Sequence, residues 1–205
     1  MYNIRPNLYF GFHGCDESTR DKLIKNPHEV EKSTKPYDWL GNGFYIWENN
    51  HSRAYQWASD KEQKKKIKKA SVVGVVYTLS NCLDFTDSEF IDSIAEYYFL
   101  MKYELERLSL ELPQNKNHSK DQHNDKLIRT LDCAVIEYCH TQMDIEIDYQ
   151  VKNKGFSKLK TYDSVRGIFT EGGEAFPGAA LQKKNHIQVC IRNLDMIKGF
   201  FIPKV

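Results

Sequence analysis

Three stretches of this sequence carry residue types suited to gripping and acting on a small, flat ligand. The first is Phe12-His13-Gly14, a histidine and a glycine at the end of an aromatic run. The second is Gly41-Asn42-Gly43 followed at once by Phe44-Tyr45-Ile46-Trp47. Glycines beside a tyrosine let a backbone come close to a planar group, because no Cβ stands in the way. The third runs from the glycine-rich Glu171-Gly-Gly-Glu174 to His186-Ile-Gln188, and offers two carboxylates and an amide. Cys15 sits beside His13-Gly14, yet no paired base is identifiable for a nucleophile there.

These residues need strands and turns to hold them. Leu8–Phe12 reads as a short aromatic strand, and 16–26 as a weak helix with Asp16 or Ser18 as its cap. The Gly-Asn-Gly turn leads into a short strand, and Arg53–Ala58 into a short helix. Val72–Leu79 is β-branched and almost continuously apolar, the pattern of a buried strand, with Asn81–Asp84 an irregular connection after it. Thr86 and Glu89 have capping-box spacing before an amphipathic helix of Phe90, Ile94, Tyr97, Met101, Leu105, Leu108 and Leu112, ended by Pro113. A polar loop, 114–126, separates it from a second helix through Leu127, Leu131, Val135 and Tyr138. Met143–Tyr149 alternates apolar with acidic residues, as a weak strand would. Val165–Phe169 and Ile197–Ile202 read as strands. His186–Arg192 alternates cleanly, with Ile187, Val189 and Ile191 on one face and His186, Gln188, Cys190 and Arg192 on the other. Strands come in clusters around a helical hairpin, so the expected class is α+β.

The 205 residues suffice for one substantial core and are read as one domain, 1–205, with a helical insertion at roughly 86–142. Apolar content of 40% excludes wholesale disorder, and a net charge of +1 leaves any preference for a polyanion to a local patch. No run is apolar enough to span a membrane, and the N-terminus lacks the apolar stretch of a signal peptide. Five scattered cysteines without a Cys-x-x-Cys imply reduced thiols in a cytoplasmic protein, with no metal site expected.

With His13-Gly14, Gly43-Phe44-Tyr45 and the late strand through Gln188 in place, the chain resembles the ADP-ribosyltransferase superfamily. It looks most like the branch of diphtheria toxin and the poly(ADP-ribose) polymerases, including its small bacterial members. The resemblance covers roughly 8–80 and 160–205, and leaves the helical hairpin without a counterpart. It implies a split, twisted β-sheet with NAD as co-substrate bound between the half-sheets. By that resemblance the backbone of Gly14 meets the nicotinamide carboxamide, His13 bonds a ribose hydroxyl, and Tyr45 stacks on the cationic ring behind the Gly43 turn. Arg53 lies beside the same pocket, with Tyr55 or Trp57 closing its other side. The family's late-strand glutamate corresponds to Gln188, which carries no charge. The missing carboxylate then falls to Glu171 or Glu174.

The implied activity is transfer of ADP-ribose from NAD to a macromolecular acceptor, a protein or a nucleic acid. Toxin or antiviral roles, and a partner protein that restrains the activity, are expectations at the level of fold analogy. Gln188 also admits a different class: a non-catalytic module that binds NAD or ADP-ribose. Lys61–Lys69 holds six lysines, read either as the solvated end of a helix or as a phosphate-contacting patch without aromatic residues of its own.

Overall fold

The computed structural model describes residues 4–119 and 121–204. In chain order its main elements are β1 (Ile4–Asp16), α1 (Glu17–Lys25), β2 (Phe44–Glu48), α2 (His51–Gln63), β3 (Ala70–Asp84) and α3 (Ser88–Arg107). There follow β4 (Asn115–Lys116), β5 (Ile128–Arg129), α4 (Thr130–Lys154), β6 (Ser164–Phe169), β7 (His186–Ile191) and β8 (Ile197–Phe201). The architecture is α+β: a mixed, mostly antiparallel sheet with four helices.

The sheet runs β1-β2-β7-β6-β3-β8, and β1 pairs also with β3, so five strands close into a ring. Only β3 and β6 are parallel, joined at Cys82–Asp84 and Ser164–Arg166. The long pair β1–β3 forms because Val73, Val75, Tyr77 and Leu79 alternate toward one buried face. They pack there against Phe44, Ile46, Val189 and Ile191 from β2 and β7, which fills the interior of the ring. On the outer face Leu83, Val165 and Cys190 lie under Phe90 of α3 and Ile136 of α4.

The ring is loosely sutured at one place. β1 and β2 are paired only at Gly11–Glu48 and Phe12–Trp47. Beyond that point β2 leaves β1 to follow β7, from Trp47–Gln188 to Phe44–Ile191. Glycine permits both close approaches involved. A Cβ on Gly43 would lie 2.5 Å from the Cys190 sulfur, and one on Gly14 would run into the carbonyl of Ala54. So α2 rests directly on β1, burying Ala54 and Ala58. The expected service of Gly43 to a ligand is therefore at least partly a service to strand packing.

Several boundaries differ from the sequence reading. β1 and β3 are longer, and Asn81–Asp84 continues the strand because β6 pairs with it. Helix α3 is capped by Asp87, whose carboxylate accepts from the Glu89 amide at 3.1 Å, while Thr86 instead donates to Asp84 at 2.8 Å. It ends at Arg107, before Leu108, Leu112 and Pro113. The second helix starts at Thr130 and absorbs Met143–Tyr149, so the helical segment reaches Lys154 and not 142. The polar loop contains a short β4–β5 ladder, and Asn115 caps α4 by accepting from the Leu131 amide at 2.9 Å. Among the described residues no helix is long and apolar enough to cross a membrane.

All five cysteines are buried. Burial pushes the thiols of Cys133 and Cys139 up to about 11 and that of Cys15 to about 12, with Cys190 raised further. Few thiolates exist at pH 8, so iodoacetamide is expected to label the native protein far more slowly than the urea-unfolded chain. Rapid labelling of one cysteine in the native protein, located by mass spectrometry, would show a local opening around it.

Candidate functional site

Where β2 parts from β1, the imidazole of His13 takes the place of a main-chain partner. Its Nδ1 lies 2.7 Å from the Tyr45 carbonyl, so that nitrogen carries the hydrogen and donates. The ring stacks on Phe44 at 4.4 Å. Burial lowers its pKa, against a smaller raising effect of the Tyr45 carbonyl. His13 is thus a neutral imidazole whose Nε2 keeps its lone pair.

This histidine lines a cavity of about 590 Å³. Tyr45 and Trp47 of β2, Arg53 and Trp57 of α2, Phe169 at the end of β6, and His186 and Gln188 of β7 share that wall, as do Gly43 and Glu171. Residues far apart in sequence meet here because the ring brings β7 between β2 and β6.

The polar groups of the cavity are held in specific ways. The Trp39 indole donates to Gln188 Oε1 at 2.5 Å. An indole nitrogen only donates, so the amide oxygen must face it and the amide NH₂ is left to donate elsewhere. Glu171, only 8% exposed, pairs through Oε1 with Nε and Nη2 of the buried Arg53. Oε2 of Glu171 makes no hydrogen bond to the described residues, and Nη1 of Arg53 is buried without a partner. The Tyr45 hydroxyl donates to the Gly41 carbonyl and accepts from the Leu40 amide, both at 2.9 Å. Burial pushes its pKa well above the usual tyrosine value. The phenol therefore clasps the glycine turn, in which Gly41 has φ +79°, and is not a free acid.

His186 is the second neutral histidine of the wall. Its Nδ1 lies 2.7 Å from the Lys184 carbonyl, and its ring stacks on Phe169 at 5.5 Å. Burial lowers its pKa, helped by Arg53 and Arg129 and opposed by the Lys184 carbonyl and Glu171.

Of the residues singled out from sequence, His13, Gly43, Tyr45, Arg53, Glu171 and Gln188 line this one cavity. Gly14 is buried next to it, beneath Ala54. Glu174 does not line it; its carboxylate accepts from the Gly178 amide at 2.8 Å within its own loop. Tyr55 is on the outer side of α2, stacked on His51, and Trp57 takes the cavity side. Arg166 and Arg192 sit in ion pairs, with Glu48 and Asp84 and with Glu137.

Four residues in or behind the wall escaped the sequence reading. Trp39 and Phe169 meet edge to face at 5.1 Å, and Arg129 lies 3.9 Å over Phe169. Leu127 of the helical insertion lines the cavity, and Arg129 of the same segment backs its aromatic wall at Trp39 and Phe169. Trp39 stands next to the glycine turn and was visible as a neighbour of it. Nothing in sequence announces that Arg129 reaches back to β6.

No protein-family model, curated protein or solved structure matches this chain.

Proposed function

We propose that this chain is an ADP-ribosyltransferase that takes NAD as co-substrate and transfers its ADP-ribose to a macromolecular acceptor. The observation that carries the reading is the convergence of His13, Tyr45, Arg53, Glu171 and Gln188 on one aromatic cavity. Breaking the bond between ribose and nicotinamide develops positive charge on the sugar while the pyridinium nitrogen takes the electron pair. A site for this reaction must grip the leaving group and place negative charge near the ribose.

The residues fit those tasks in a particular way. The neutral His13 offers Nε2 as an acceptor to a ribose hydroxyl. Gln188, turned by Trp39, offers NH₂ donors to a hydroxyl oxygen and fixes the sugar. Glu171 is the carboxylate of the cavity, and its Oε2 faces no competing partner among the described residues. It takes the charge-stabilising role in preference to Glu174. Tyr45 contributes its ring, since its hydroxyl is already spent on the turn.

A second reading rests on a specific observation: the charge of Glu171 is already neutralised by Arg53, and Gln188 has none. On that reading the cavity binds NAD or ADP-ribose without turning it over.

Release of free nicotinamide from NAD separates the two. The purified protein is assayed alone and with cell lysate, before and after nuclease. His13→Ala and Glu171→Gln are each expected to lower release at least tenfold, while Glu174→Gln leaves it unchanged. NAD binding by calorimetry without release in any condition would establish the silent module instead.

A further inference from the structure

The lysine run Lys61–Lys69 lacks aromatic residues, but the fold supplies them. Lys61 is the last cavity-lining residue of α2, and its Nζ lies 4.7 Å over the Trp57 ring. Lys35 and the exposed Tyr37 line the same cavity from the loop before the glycine turn. Lys64 and Lys66 continue outward from Lys61, and the fields of Lys35, Lys64 and Lys66 all bear on it. Asp38 acts on Lys61 in the opposite sense and accepts from the Lys35 amide at 2.8 Å; it and Asp60, which also lines the cavity, are in no ion pair among the described residues. Two other cations nearby are neutralised, Lys22 by Glu29 at 3.2 Å and Lys69 by Glu17 at 2.9 Å. Lys35, Lys61, Lys64 and Lys66 have no carboxylate within ion-pair distance among the described residues.

Gathering cations around a half-buried ammonium is unfavourable unless an anion joins them.

We infer that the cavity mouth binds the phosphates of a single-stranded nucleic acid, with Lys35, Lys61, Lys64 and Lys66 on the backbone and the exposed Tyr37 as the stacking surface, while Trp57 carries Lys61. Lys64 and Lys66 are exposed and lie outside the cavity lining, so the cationic surface continues past the cavity, which favours a polymer. A single strand fits because its unpaired bases present π-faces to Tyr37, which a duplex withholds. This assignment makes nucleic acid the acceptor class, and that role rests on the ADP-ribosyltransferase reading. The binding itself does not.

The test is fluorescence anisotropy of a labelled single strand of about 12 nucleotides, a length typical of such sites, across a salt series and without NAD. Lys61→Gln/Lys64→Gln/Lys66→Gln is expected to weaken binding at least tenfold. It should also flatten the slope of log affinity against log salt by about 2, given roughly 0.7 per lost phosphate contact. Tyr37→Ala should cost about fivefold to tenfold or more, as the loss of one stacked base does. Lys152→Gln/Lys154→Gln, at the far end of α4, should bind like the parent, and thermal unfolding verifies that each variant is folded. Absence of binding at low salt, equal loss in the α4 variant, preference for duplex, or an effect on NAD affinity alone overturns the inference. Nicotinamide release scores the enzyme reading separately: strand binding without release removes the acceptor role and leaves the binding site standing.

Discussion

Glu171→Ala is expected to lower the unfolding free energy by about 3–5 kcal/mol, the usual cost of removing one partner of a buried ion pair. Arg53 is 9% exposed and Glu171 8%, so neither charge is well served by water. Arg53 already has one donor unsatisfied, and without Glu171 its guanidinium would have no hydrogen-bond partner among the described residues. The consequence spreads, because Ala54 beside Arg53 is the contact between α2 and β1. Glu171→Gln keeps an acceptor and should cost less. Arg53→Met/Glu171→Leu removes both charges and should recover much of the loss. Urea denaturation measures all three, with an unchanged m-value as the check that unfolding remains two-state. A loss below about 1 kcal/mol in Glu171→Ala would mean that solvent screens the pair.

The second large effect is a loss of stability on acidification, centred on His140. Its Nδ1 lies 2.8 Å from the Ile136 carbonyl, its ring meets Tyr162 edge-on, and its Nε2 is buried without a partner. Burial pushes its pKa down to about 4, with Arg192 lowering it further and the Ile136 carbonyl and Glu137 pulling it up. The folded value lies below the unfolded one, near 6.5. The unfolded chain therefore binds the proton first, and its population grows as pH falls. The contribution of a neutral His140 is complete above pH 6.5 and is lost between pH 6.5 and 4. The loss is on the order of 3 kcal/mol at the lower end. His13 and His186 act in the same direction. Unfolding free energies at pH 7.5, 6, 5 and 4.5 should fall steadily, and His140→Phe should flatten part of that fall. A parent profile flat to pH 4.5 would mean that His140 is protonated in the folded state near its ordinary value.

What was legible in the sequence was what local periodicity decides. β7 could be read to within one residue at its end, because Val189 and Ile191 alternate into the core against Gln188 on the cavity side. The same rule misled at Met143–Tyr149. There Ile145 and Tyr149 are exposed at 57% and 60%, and only a half-buried stripe of Met143, Ile147 and Gln150 marks one side of α4. With selection by burial this weak, apolar and acidic residues can alternate by chance inside a helix. The membership of the cavity was legible for single residues next to glycine turns. Their partners were not. The Trp39–Gln188 and Arg53–Glu171 bonds join residues more than a hundred positions apart, and only closure of the ring specifies them. The same closure hid the aromatic half of the lysine surface, since Tyr37 and Trp57 lie outside the run.

That closure also has a consequence in time. The β2–β7 seam pairs Phe44 with Ile191, and β6–β7 supplies Phe169, His186 and Gln188 to the cavity. A ribosome adding about 5–20 residues per second needs roughly 7–28 seconds to go from the end of β2 at Glu48 to His186. Until then the nascent chain has His13, Tyr45 and Arg53 but no opposite wall. Its early strands wait with unpaired edges, and the high sequence separation of the final pairings makes the last step slow. The site is complete only once β7 has been made, which leaves an interval in which a chaperone or a binding partner can take hold of the open edge of β2.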